Sequence, residues 1–160
     1  MSPEPLSAAL EREHKIIDAD IERFAAGVSI GTIDSQDLRK TFNLLRRHIY
    51  VEEEFLFPPL REAGMIMPIL VMNREHGEIW NLMDAIQEQA NLNVELGEIG
   101  ESCQSLLELL DRHNAKEEPI VYPEVDATLN ITLVEELSEF LEMGTMPENW
   151  VCEMARPTNR

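Results

Sequence analysis

Residues 48–58 read HIYVEEEFLFP, and residues 113–123 read HNAKEEPIVYP. Each stretch sets a histidine four positions before a doubled glutamate and then runs into an aromatic–proline pair. Side chains four apart on an α-helix lie one turn apart on the same face. His48 and Glu52 therefore share a face, as do His113 and Glu117. Upstream of the first stretch, Leu38, Thr41 and Leu45 continue the stripe that carries His48, Glu52 and Phe55. Upstream of the second, Ile99, Cys103, Leu106 and Leu110 lead into His113 and Glu117. Both stripes step by three and four residues, the helical period.

The same period runs through the rest of the chain. Leu10, His14, Ile17, Ile21, Phe24 and Val28 mark a first helix over about Pro3–Ala26, with Ser2 as N-cap and Gly27 as its stop. The helix carrying His48 is expected to start near Asp34 or Ser35. Pro58 and Pro59 should kink or end it, because proline removes a helical donor and clashes with the preceding turn. Met72, His76, Ile79, Met83 and Ile86 mark a third helix from about Pro68 to Ala90. The fourth should span about Glu98–Glu118 and break at Pro119 and Pro123. A shorter fifth, about Leu133–Met143, opens with Thr132 and Glu135 in a capping-box arrangement. The tail after Gly144 reads as irregular, with Trp150 tucked against the body. This pattern predicts an all-α protein, an antiparallel up-down four-helix bundle with a short fifth C-terminal helix. Residues 1–128 would form the bundle, and residues 129–160 a C-terminal helix and tail packed on the same domain.

The chain also repeats itself. REH at 12–14 recurs at 74–76, and the two HxxxEE stretches align, with offsets of 62 and 65 residues. A helix pair carrying H and then HxxxE has been duplicated, which predicts two pairs packed about a pseudo-twofold axis.

Bulk composition narrows the function. The 160 residues are 44% hydrophobic with 7 glycines, enough for a buried core and lean in sheet signals. The formal charge of −18 disfavours nucleic acid and anionic membrane surfaces as partners. Cys103 and Cys152 form no CxxC pair, and the N-terminal stretch has no basic region followed by an apolar core. A reduced, cytoplasmic setting is the expectation.

All four histidines lie in the apolar seams, one per long helix. Glu52 and Glu117 point inward beside two of them. An unpaired buried carboxylate costs several kcal/mol, and no lysine or arginine occupies the seams nearby. A metal cation is the economical partner. Six ligands, His14, His48, Glu52, His76, His113 and Glu117, exceed what one tetrahedral zinc needs. Shared between two ions they give two imidazoles each, with both glutamates free to bridge. Mixed imidazole and carboxylate ligation suits iron or manganese, and zinc fits the same donors. Glu13 and Glu75 precede seam histidines and are expected to be solvated, with a supporting role behind the ligands as the alternative. Glu53 and Glu118 are placed at the mouth of the site. Tyr122 is read as a core aromatic, with the lining of an entry path as the alternative. Met65, Met67, Met72 and Met83 are read as packing, and Cys103 as inert core.

The order His14, His48-xxx-Glu52, His76, His113-xxx-Glu117 resembles the hemerythrin-like HHE cation-binding family over about residues 8–126. That resemblance implies a non-haem di-iron centre, bridged by the two glutamates and an oxo or hydroxo group. Oxygen-carrying hemerythrins add a histidine four residues from the third-helix one, where this chain has Met72 and Trp80. The four-histidine, two-glutamate set is instead similar to the C-terminal domain of iron-centre repair proteins, without their N-terminal paired-cysteine segment. The implied ligand is a small gas, O2 or NO, bound or sensed by a monomer or homodimer, for instance in oxidative or nitrosative stress. Turnover of peroxide or NO, repair of damaged iron centres, and an interaction module with a structural metal are the alternatives.

Overall fold

The computed structural model describes residues 4–157, which form helices joined by short links, with no strand among them. Helix α1 spans Leu6–Ser29 and α2 Ser35–Val51. A π-helical turn, Glu52–Leu56, joins α2 to α3, Phe57–Glu62. Helix α4 spans Ile66–Asn91 and α5 Leu96–Lys116. A second π-turn, Glu117–Val121, joins α5 to α6, Tyr122–Thr128. Helix α7, Ile131–Met143, and a short 3-10 turn, Glu153–Ala155, follow. The links of three to five residues between long helices make sequence neighbours antiparallel. Gly64, at φ +105°, supplies the left-handed turn between α3 and α4. The result is the expected hemerythrin-like bundle with an added C-terminal helix. No described helix is long and apolar enough to cross a membrane.

Several boundaries differ from the sequence reading. Ser2 and Pro3 lie outside the described residues, and α1 begins at Leu6 after Pro5. It passes through Gly27, whose carbonyl accepts from Ile30 and Thr32; the left-handed residue is Gly31. Helix α7 is capped by Asn130, whose side chain takes the Leu133 amide at 2.9 Å, so Thr132 falls inside the first turn.

The prolines do not stop their helices. Each helix widens for one π-turn and continues. The Phe57 amide bonds to the Glu52 carbonyl, and the Tyr122 amide to the Glu117 carbonyl, both five residues back. A π-turn lets a helix absorb an extra residue and is frequent at functional sites. Here it puts residues five apart one turn apart on one face, so each seam glutamate shares its face with the aromatic residue ahead of the proline.

The seams are buried as expected, and they sort into two apolar clusters. One gathers Ile17, Ile21, Phe24, Phe42, Leu45, Met83, Ile86 and Leu106 toward one end of the bundle. The other gathers Leu6, Leu10, Leu56, Phe57, Leu60, Ile69, Met72 and Val125 toward the other end, with Leu137 and Leu141 of α7 laid on it. The histidines and seam glutamates form a polar layer between them. Met72 and Met83 pack in the core, whereas Met67 is largely exposed at the start of α4.

Candidate metal centre

The six seam residues converge from four helices onto one buried layer. Glu52 and Glu117 are fully buried, and the four histidines nearly so. Ligand-type atoms of His14, His48, Glu52 and Glu117 lie within 4.8 Å of one another, and so do those of Glu52, His76, His113 and Glu117. The two groups share both glutamates. Glu52 sets one oxygen 3.4 Å from His48 Nε2 and the other 3.2 Å from His76 Nε2. Glu117 sets one oxygen 3.2 Å from His14 Nε2 and the other 3.4 Å from His113 Nε2. Each carboxylate thus spans the two halves of the layer.

Every histidine is oriented from behind by a second carboxylate. His14 Nδ1–H donates to Glu118 at 2.8 Å and His48 Nδ1–H to Glu13 at 2.9 Å. His76 Nδ1–H donates to Glu53 at 2.7 Å and His113 Nδ1–H to Glu75 at 2.9 Å. With the Nδ1 protons pointing out, all four Nε2 atoms face inward. Such outer carboxylates fix the ring orientation of metal-ligating histidines and raise their basicity. Glu13 and Glu75 are therefore not the solvated residues expected. Each points sideways from its own helix to a histidine on the next one, and Glu13 is buried. Glu53 and Glu118 do the same from the π-turns instead of merely framing a mouth. The sequence signal was there: the Glu of REH and the second Glu of HxxxEE are both repeated.

Tyr122 is the core aromatic expected, but its hydroxyl has a role the sequence did not show. Its hydroxyl donates to Glu52 at 2.8 Å and lies 2.9 Å from His14 Nε2 and 3.1 Å from His48 Nε2. The matching residue of the repeat is Phe57, which has no oxygen to offer. Met72 and Trp80 supply no fifth imidazole; Met72 packs in the core and Trp80 lies under Arg46 and against Trp150. Cys103 is inert, as burial pushes its thiol up to about 11.

The fit to metal can be tested on the donor atoms. Both oxygens of Glu117, one of Glu52 and Nε2 of His76 are buried without a hydrogen-bond partner. Ligands about 2.1 Å from one ion and at right angles to each other stand about 3 Å apart, close to the observed nitrogen–oxygen spacings. Burial disfavours the imidazolium of His48, His76 and His113. The facing carboxylates outweigh it and raise all three above 6.5, His113 to about 10 under Glu117 and Glu75. Burial and Glu117 push Glu52 up, and burial pushes Glu117 up, yet the histidines hold both below 4.5. The layer calls for positive charge, which protons or metal cations can supply.

Comparison with known proteins gives the same frame a family. The model of the hemerythrin HHE cation-binding domain matches residues 6–125, well over half of the chain. The chain belongs to the hemerythrin HHE cation-binding family. No curated protein and no solved structure matches it. A hemerythrin-family chain with this donor set is a metal-binding protein.

Beside that layer lies a cavity of about 10 Å³, the room of one water-sized molecule. Ile17, Leu45, Ile49, Ile79 and Leu110 line it together with the four histidines and Glu52. Asp18 and Asn114 are its only other polar residues. Tyr122 is not among the lining residues, and the ring sits with the opposite apolar cluster.

Proposed function

We propose that the chain holds two iron ions, one by His14 and His48 and the other by His76 and His113. Glu52 and Glu117 bridge them, with an oxo or hydroxo group completing the pair, and the centre binds or senses O2 or NO. The observation that carries this reading is the sharing of both carboxylates between two histidine pairs. When bound, the iron pair would supply reversible electron storage and an exchangeable coordination position. The protein supplies the rest. The outer glutamates hold four imidazoles in one orientation, and the aliphatic wall of the cavity admits a small apolar molecule while excluding bulk water. Tyr122 adds an oxygen donor to the His14–His48 half alone, as a hydrogen-bond donor to Glu52 or as a further ligand. Residues 129–160 are read as part of the same domain.

The test is spectroscopic. Anaerobically reduced, iron-loaded protein should develop a charge-transfer absorption on O2, or an iron-nitrosyl signal on NO, that reverses when the gas is removed. A spectrum indifferent to both gases would leave the metal a structural role.

Peroxide turnover has one observation in its favour. Asp18 lies at the cavity, and burial raises its carboxyl pKa, which favours a proton held close to the site. Consumption of peroxide in excess of bound iron, lost in Asp18→Ala, would select this reading over gas binding.

A further inference from the structure

The family match ends at residue 125, while α7 and the tail continue to the last described residue. This added segment reaches back to the metal layer by two hydrogen-bonded routes. At the C-terminal end of α7, the carbonyls of Leu141 and Gly144 accept from the Arg47 guanidinium at 2.5 and 2.9 Å. Carbonyls at that end have no helical donor and favour a cation. The same guanidinium lies 3.1 Å from one oxygen of Glu13, whose other oxygen takes the Nδ1 proton of His48. Further along, the Glu153 amide donates to Glu53 at 3.0 Å, and the other oxygen of Glu53 takes the Nδ1 proton of His76.

One histidine in each half is therefore tied to the segment. The remaining two end elsewhere, since Glu75 pairs with Lys116 and Glu118 is partly open to solvent. The tail is seated next to the layer. Gly77, the residue after His76, has no room for a side chain, because a Cβ there would lie 2.7 Å from that of Met154. Trp150 donates its indole N–H to Glu54 at 2.9 Å and packs edge-on against Tyr50 and Trp80.

We propose that Leu141–Ala155 is a clamp that positions His48 through Arg47 and Glu13, and His76 through the Glu153 amide and Glu53. The C-terminal segment then sets how tightly both metal positions hold their ions. A carboxylate gripped at its second oxygen has one orientation to offer its imidazole, and loss of such outer partners weakens metal affinity about 10- to 100-fold. The inference rests on the two-metal reading of the layer.

Two substitutions cut the routes separately. Residue 153 opens the 3-10 turn, a position where proline is tolerated, and Cys152 already has the extended conformation (φ −61°, ψ 150°) that precedes proline. Glu153→Pro thus removes the N–H with the local backbone in a compatible conformation. Glu153→Ala keeps the amide and is the control. Arg47→Met cuts the other route.

The full chain is loaded with cobalt(II), which shifts the exchangeable Nδ1–H proton resonances of the ligand histidines far from the rest of the spectrum. Glu153→Pro is expected to move one of these resonances and Arg47→Met a different one. Each should speed chelator extraction of cobalt by about tenfold, and Glu153→Ala should do neither. A merely structural loss of stability would not single out one imidazole. If Arg47→Met fails to fold, Glu153→Pro decides alone. Unmoved resonances in variants that still carry two cobalt ions overturn the clamp. Wild-type protein that takes up fewer than two overturns the two-metal reading and the clamp with it.

Discussion

His14 and His48 share their half of the layer with the Tyr122 hydroxyl, whereas His76 and His113 have Phe57 in the corresponding place. The aromatic rings are held alike, Tyr122 stacked on His14 at 5.4 Å and Phe57 on His76 at 5.5 Å. The two halves repeat one frame: a histidine, a histidine one turn before a glutamate, an outer carboxylate behind each ring, and a π-turn that swings the aromatic residue inward. One oxygen atom then separates the halves. In the proposed two-ion reading the shared parts would hold the cations, and the difference would make the two positions chemically unequal.

The comparison is broken most severely by removing what both halves share. Glu117→Ala should empty both positions and remove the metal-dependent part of the thermal stability, whereas His113→Ala should empty one. Elemental analysis with a melting curve checks this, and full metal content in Glu117→Ala would remove the bridging role. Next come the outer carboxylates. Glu75→Gln should weaken metal binding in the His76–His113 half by about 10- to 100-fold and leave the other half nearly unchanged, as read by stepwise metal titration.

Protonation should act on both halves. In the metal-free protein His48, His76 and His113 are raised above 6.5. Their stabilising contribution is full below 6.5 and is lost as pH climbs through the raised values, about 10 for His113. Glu52 and Glu117 are lowered, so theirs is present above 4.5 and is lost as pH falls through the depressed values. Metal loading near neutral pH should therefore release protons, measurable in weakly buffered solution. Uptake of two ions without proton release would contradict the charge balance described for the layer. The smallest expected effect is on the difference itself. Tyr122→Phe should keep both metals while altering the spectrum of one, and Phe57→Tyr should make the halves more alike. Mössbauer spectra of the iron-loaded variants report each position separately.

Much of this was legible from residue order. Helical periodicity located the four long helices because their seams are unbroken, and the six inward residues fell out of the same periodicity. The prolines misled because a breaker is judged against α-helical hydrogen bonding, and a π-turn supplies another set. Glu13 and Glu75 were misjudged because a position 100° from the seam faces solvent on an isolated helix. In a four-helix bundle the same direction meets the neighbouring helix, here at His48 and His113. The contact of the Tyr122 hydroxyl with the layer was not legible because five residues from Glu117 is the wrong face of an α-helix and the right one after a π-turn. The clamp contacts of Arg47 and the Glu153 amide depend on where the tail returns, which no local pattern encodes.

The central claim is a pair of cations sharing Glu52 and Glu117. Anaerobic titration of the metal-free chain with iron(II), followed by oxidation and Mössbauer spectroscopy in an applied field, addresses it directly. Two irons per chain, antiferromagnetically coupled into a diamagnetic pair, is the predicted result. One iron per chain, or two that remain magnetically independent, would contradict it.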